Sequence, residues 1–377
     1  MNSANPVPYG FFGVHHDRYS AMSVPTMERE FALMRESGVE TLRVTFLWNQ
    51  IQLWYAPRFT GHIETVSDFI RTDAIVGTAA RNGLRMVGTI WGAPPWATGG
   101  LRPGEVSRFG FTAFGGVPEH TEDIANFQRD LIERYGPDGT FWVQNPDIPP
   151  QPIRLWQPWQ EPDRPAFMPQ PFDVDYFVEI AHACHDAAKD ADPGSIVLGT
   201  GIGPEAVRPE LLDSIYRAGY RGAADAIGLH VFPADADGLL DAIRVNREVM
   251  AHHGDGDLPV VMSQLSFSSA LGVSRLDPPN PNMYDEAGQA ARVGEALIAL
   301  AENRESLNIF GAFYHGWSGL EEEPPAPRSP DPWNFTGLRK VVADGTFRSK
   351  PALDAYRGVA LGAQAARARA AADRPQS

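Results

Sequence analysis

The sequence predicts a single (β/α)8 barrel, and three observations carry the prediction. Eight short apolar runs, each bounded by Gly, Pro or Asp, are spread over nearly the whole of the 377 residues. The stretches between them repeat their apolar residues every three or four positions, as helices packed on a sheet require. Alternating strand and helix implies a parallel sheet, and eight such units close it, whereas a doubly wound sheet commonly uses about five or six strands and leaves its edges open.

The runs fall at 9–14, 41–46, 84–90, 153–158, 195–198, 226–230, 260–264 and 309–314. Between them MEREFALMRES, VDYFVEIAHACHDAAKDA and EAGQAARVGEALIALAENRES read as amphipathic helices. After the third run, residues 91–120 are rich in Trp, Phe, Gly and Pro and have little periodicity, which predicts a long loop over one end of the barrel. A second loop follows the eighth run, through EEEPPAPRSPDP at 321–332. In this fold the loops that follow the strands shape the substrate cleft. The barrel is expected to occupy 1–364, with the Ala- and Arg-rich residues 365–377 as a frayed helix and flexible tail.

Composition narrows the partners. A net charge of -15 and the lack of a long basic run argue against nucleic acid or an anionic membrane surface, since both reward clustered Lys and Arg. No run of about eighteen apolar residues is present to cross a membrane. The single cysteine, Cys184, excludes an internal disulfide and sits in an Ala-rich helical stretch, where it reads as a small buried residue. The first twenty residues have neither a basic start nor an unbroken apolar segment, so no secretion signal is read there and the compartment stays open.

Chemistry concentrates at the end of the fourth run, where 153–163 reads Ile-Arg-Leu-Trp-Gln-Pro-Trp-Gln-Glu-Pro-Asp. A carboxylate at the C-terminal end of a barrel strand, followed at once by Pro, lies at the rim where a substrate would sit. The segment resembles the Trp-x-x-Trp-Asn-Glu-Pro-Asn signature of the clan A glycoside hydrolases, particularly the β-xylosidase-like and cellulase-like members. That resemblance implies a retaining glycosidase with Glu161 as general acid/base, acting on an oligosaccharide or glycoside without a cofactor. It extends over residues 8–360. Gly-Leu-Arg-Met-Val-Gly-Thr-Ile-Trp-Gly-Ala-Pro-Pro-Trp-Ala at 83–97 is similar to the family's third strand and loop, Asp-Ala-Ile-Gly-Leu-His at 225–230 to its sixth strand, and Ser-Lys-Pro-Ala-Leu at 349–353 to its closing helix.

The family's nucleophile is a Glu at the end of the seventh strand. Here that segment is Pro-Val-Val-Met-Ser-Gln-Leu-Ser-Phe at 259–267, which puts Gln264 in the nucleophile's place. A retaining mechanism needs two carboxyl groups about 5 to 5.5 Å apart, one to protonate the leaving oxygen and one to attack the anomeric carbon. An amide has nearly the acid's size without its charge, so this chain is expected to bind its substrate and barely turn it over. Three readings stay open: an inactivating Glu-to-Gln replacement, an enzyme with another nucleophile, and a natural non-catalytic carbohydrate-binding pseudoenzyme. Without a neighbouring carboxylate, Glu161 should also titrate lower than it would beside a Glu at 264.

Further roles follow from the resemblance. Arg43, in Thr-Leu-Arg-Val-Thr-Phe, matches the family's Arg that hydrogen-bonds the nucleophile. Gln160 stands where the family has the Asn that contacts the sugar's 2-hydroxyl, and is longer by one methylene. Trp317 resembles the aromatic platform on which the sugar stacks, and Trp91, Trp96, His230 and Tyr314 join the substrate-binding candidates. Phe232 occupies a place where a phenol often hydrogen-bonds the nucleophile. Metal hydrolases on this barrel use His-x-His after the first strand; His15 and His16 are adjacent and point to opposite faces, so no metal site is expected. The glycines of 199–203 lack the spacing of a dinucleotide loop.

Overall fold

The computed structural model describes residues 6–15, 22–55, 64–98, 117–168, 170–202, 209–274, 279–319, 321, 331–341 and 346–373. Eight parallel strands close into a barrel: β1 Phe12–His15, β2 Thr41–Leu47, β3 Arg85–Trp91, β4 Leu155–Pro158, β5 Ile196–Ile202, β6 Ala226–Val231, β7 Val260–Leu265 and β8 Ile309–His315, with β8 pairing back onto β1. All eight apolar runs thus become barrel strands. The helices that alternate with them are α1 Val24–Glu36, α2 Ile70–Arg81, α3 Thr121–Tyr135, α4 Val174–Ala191, α5 Pro209–Arg217, α6 Ala236–His252, α7 Glu286–Asn303 and α8 Pro351–Ala372.

Several helices begin where the sequence supplies a side-chain cap. Ser23, Asp173, Asp235 and Asp285 accept from backbone N–H groups of the first turns of α1, α4, α6 and α7, which satisfies donors the helix itself leaves open. The closing helix α8 continues through the residues expected to form the tail, as far as Ala372, because Ala363 and Ala366 still bury their methyl groups. Most of the long loop expected at 91–120 and of the loop at 321–332 lies outside the described residues.

The barrel encloses two kinds of interior. Val87, Leu155, Leu198, Ala226, Val261 and Phe313, one from each of β3 to β8, form a separate apolar cluster inside it. Side chains alternate across a strand, so the next inward position along each strand lies one layer closer to the C-terminal rim. There the filling turns polar, with Arg43, Gln157 and Ser263 buried together with Thr89. An apolar lower layer under a polar upper one gives the barrel a closed floor and a chemically equipped mouth. Cys184 packs in the outer core and burial pushes its thiol pKa up. Among the described residues no helix is long and apolar enough to cross a membrane.

Candidate active site

The polar end of the barrel gathers side chains from six strands and the turns that follow them. Glu161 stands just beyond β4, where Trp159 and Glu161 both adopt left-handed backbone, φ 63° and 44°. Non-glycine residues in that region are uncommon and cost about 1 to 3 kcal/mol each, and they persist where surrounding contacts hold them. The turn is pinned by Trp159 N–H donating to Ile90 O at 2.7 Å and Glu161 N–H donating to Gly201 O at 2.8 Å. It lifts the Glu161 side chain across to β6, where Oε1 lies 2.7 Å from His230 Nδ1. The imidazole fits only because Gly201 has no side chain: a Cβ there would stand 2.2 Å from His230 Nε2.

His230 is in turn the register partner of Gln264 on β7. Strict alternation from inward-facing Val261 would send Gln264 outward. The pairing instead skips a residue: Leu229 faces Met262 and His230 faces Gln264, so Ser263 is the extra residue of a bulge. The bulge turns Gln264 into the barrel mouth, where its Nε2 donates to His15 Nδ1 at 3.1 Å. Glu161 and Gln264 are therefore joined through adjacent residues at one end of the barrel.

Arg43 organises the remainder. Its guanidinium is fully buried, donating from Nε to Gln157 Oε1 at 2.9 Å, from Nη2 to Gln160 Oε1 at 3.0 Å and from Nη1 to His15 Nδ1 at 3.0 Å. A buried charge is tolerable when hydrogen bonds replace its water, and this fork of donors meets two oriented amide oxygens and the imidazole of His15. The bond to Gln160 holds the residue before Glu161, so the charge also braces the turn that carries the carboxylate.

Five of the residues singled out from the sequence thus meet here: Arg43, Gln160, Glu161, His230 and Gln264. Trp91 ends β3 beside β4 and packs edge to face on Phe167 at 4.8 Å between centroids. Trp96 packs edge to face on Trp48 at 5.6 Å. Two expected residues lie elsewhere. Trp317 is fully buried, its Nε1 donating to Glu30 Oε2 at 2.8 Å under Arg339, so no face is open for a sugar to stack on. Tyr314 falls on the helix-facing side of β8 by strand alternation, and its hydroxyl donates to Phe267 O and Thr336 O.

The strand position that does face inward at this end of β8 is His315, whose ring centroid is 5.1 Å from that of His15. Phe232 lies 6.4 Å from His315 and packs edge to face on Trp333 at 4.6 Å, extending a line of rings away from the polar cluster. His15, Gln157 and His315 were not singled out for this site from the sequence. The period of two was the available signal: His15 is two from Gly13, Gln157 two from Leu155 and His315 two from Phe313, each continuing an inward-facing set. Among the described residues no cluster of three His, Cys, Asp or Glu could hold a metal ion.

No protein-family model matches the chain, and no curated protein matches it. Solved structures do resemble it in fold. A monomeric beta-xylosidase from Caulobacter crescentus CB15 superposes with a TM-score of 0.62 at 16% identity, over 93% of this chain and 68% of that one. The GH39 enzyme from Xanthomonas axonopodis pv. citri gives 0.63 at 17% identity, over 93% and 66%. A family 51 alpha-L-arabinofuranosidase from Bifidobacterium longum gives 0.61 at 11%, over 94% and 74%. The chain spans about two thirds of the length of the first two, and at these identities the likeness carries the fold.

Proposed function

We propose that the chain is a glycoside hydrolase of the retaining type, with Glu161 as general acid/base and position 264 as the seat of the nucleophile. The observation that supports this most is the placement of Glu161 against His230, the register partner of Gln264, at the C-terminal end of the barrel. In such a site Glu161 donates its proton to the oxygen that leaves, while a carboxylate at 264 attacks the anomeric carbon from the other face; water then releases the sugar, with Glu161 taking the proton back. Arg43, Gln160, His230 and Trp91 would orient the sugar around that bond. The solved neighbours that are named as xylosidase and arabinofuranosidase support a carbohydrate substrate of that kind.

As it stands, the chain carries Gln264 and is expected to bind sugar with little or no turnover. A non-catalytic carbohydrate-binding pseudoenzyme is the second reading, and the hydrogen bond that settles the amide against His15 favours it. Binding data cannot separate the two. The experiment that does is Gln264→Glu, assayed on a panel of aryl β-glycosides and α-L-arabinofuranosides, with the first-formed anomer read by NMR. Hydrolysis with retention, abolished again by Glu161→Gln, supports the hydrolase; inactivity of a folded Gln264→Glu protein across the panel favours the binder.

A further inference from the structure

Beyond β8 the chain returns to the mouth of the barrel in a short 3-10 turn, Pro332–Phe335, where Asp331 caps by accepting from Trp333 N–H at 3.0 Å. The turn is tied to the segment that follows β7, a few residues past Gln264: Ser268 Oγ donates to Pro332 O at 2.7 Å and Ser269 N–H to Phe335 O at 3.1 Å. Lys350 Nζ donates to the same Phe335 O at 3.1 Å, and Gln289 Nε2 to Thr336 O at 3.1 Å. All four of these donor residues are buried. A buried network of satisfied polar groups rigidifies what it holds, so the turn has a fixed place beside position 264.

Trp333 itself is only partly covered, whereas Trp317 is closed off in the core. It packs on Phe232 with the ring centroids 4.6 Å apart and the planes at 60°. Such an edge-to-face contact covers at most one face of the indole, and among the described residues no other aromatic ring meets it. Phe232 follows the end of β6, two residues past His230, and its ring lies 6.4 Å from that of inward-facing His315. His315 lies 5.1 Å from His15, which contacts Gln264. The partly exposed indole thus stands on the rim beyond position 264, where a sugar chain passing through the site would set the unit next to the reacting linkage.

We propose that Trp333, steadied by Phe232, is a specificity-determining platform on which that neighbouring unit stacks. The negative face of an aromatic ring attracts C–H groups, and a pyranose with equatorial hydroxyls turns a flat set of axial C–H groups toward it. The platform therefore selects β-linked xylo- and glucopyranose chains over arabinofuranosyl ones, whose puckered five-membered rings present no such face. The proposal rests on reading the barrel mouth as a carbohydrate site and names the sugar that it takes.

The full native chain serves for the test, since with Gln264 it is expected to hold a sugar without cleaving it. Xylotriose, cellotriose and a linear arabinofuranosyl trisaccharide are titrated by calorimetry and followed by proton NMR. Xylotriose or cellotriose should bind more tightly than the arabinofuranosyl probe, with the axial protons of one face of one unit moved upfield by the indole ring current. Trp333→Leu, apolar but without a ring, should weaken binding about tenfold and abolish the upfield shifts, with the urea midpoint little changed. Trp333→Phe should keep part of both effects, and it decides the matter if Trp333→Leu does not fold. Unchanged affinity and shifts in the folded variant, or tighter binding of the arabinofuranosyl probe, overturn the inference and leave the carbohydrate site standing. Binding of none of the three also overturns it; whether the hydrolase reading falls with it is read separately, from Gln264→Glu on the aryl glycoside panel.

Discussion

Substituting Gly201 by Ala tests the packing that holds the acid in place. The added Cβ would lie 2.2 Å from His230 Nε2 and 2.6 Å from both Cδ2 and Cε1, more than an ångström inside ordinary contact. His230 has nowhere to retreat: its side chain is fully buried and its other nitrogen is held 2.7 Å from Glu161 Oε1. Overpacking a buried site costs about 1 to 3 kcal/mol, and moving the ring far enough to clear the methyl also breaks a hydrogen bond to an ionisable group, about 1.5 to 3 kcal/mol. The expected total loss is about 3 to 5 kcal/mol in equilibrium urea unfolding. Gly358→Ala is the control, since a Cβ there meets nothing within 4 Å and the residue lies inside α8; it should gain about 0.5 to 1 kcal/mol from helix propensity. A Gly201→Ala protein as stable as the parent would refute the idea that the glycine makes room for His230.

Three further outcomes follow from the same geometry. Trp317→Phe should lower stability by about 1 to 3 kcal/mol, by leaving Glu30 without the indole donor, and should leave sugar affinity in titration calorimetry unchanged; a large loss of affinity would return Trp317 to the binding site. Cys184, fully buried and with its thiol pKa raised by burial, should react with a thiol reagent only as the protein unfolds, so that labelling of the native protein at a rate above that of unfolding contradicts its placement. The third concerns the buried pair of Lys350 Nζ and Glu321 Oε1, 2.6 Å apart, in which burial holds the carboxyl above and the ammonium below their ordinary ranges. A raised carboxylate contributes stability that is present below its unfolded value and lost as pH rises through the folded one; a lowered ammonium contributes stability that is present above its unfolded value and lost as pH falls through the folded one. The pair is thus least favourable near neutrality, so Lys350→Met alone should cost about 3 to 5 kcal/mol in urea unfolding at pH 7, while adding Glu321→Leu recovers most of the loss. A double variant no better than the single one would contradict this.

The barrel was legible because each of its strands is a short apolar run between breakers and most helices carry an unambiguous period. Glu161 was legible for a similar reason: a strand end, a carboxylate and a proline stand together in the sequence. Other features depend on neighbours far along the chain. The bulge at Ser263 is set by the pairing of β7 with β6, and no local pattern announces that 261 and 264 face the same way. Trp317 reads from the sequence as a residue just beyond a strand end, yet Glu30, on the first helix, takes its indole N–H into the core. His15 looked like half of a poor metal motif; Arg43 is its register partner on β2, while Gln264, on β7, comes within reach only when the barrel closes.

The most direct measurement is the distance across the site in a crystal of this chain with an oligosaccharide bound. The Glu161 carboxyl and the Gln264 carboxamide should stand about 5 to 5.5 Å apart on either side of one glycosidic linkage. A sugar seated elsewhere, or the two side chains held about 10 Å or more apart, farther than even inverting glycosidases place their carboxylates, would contradict the account.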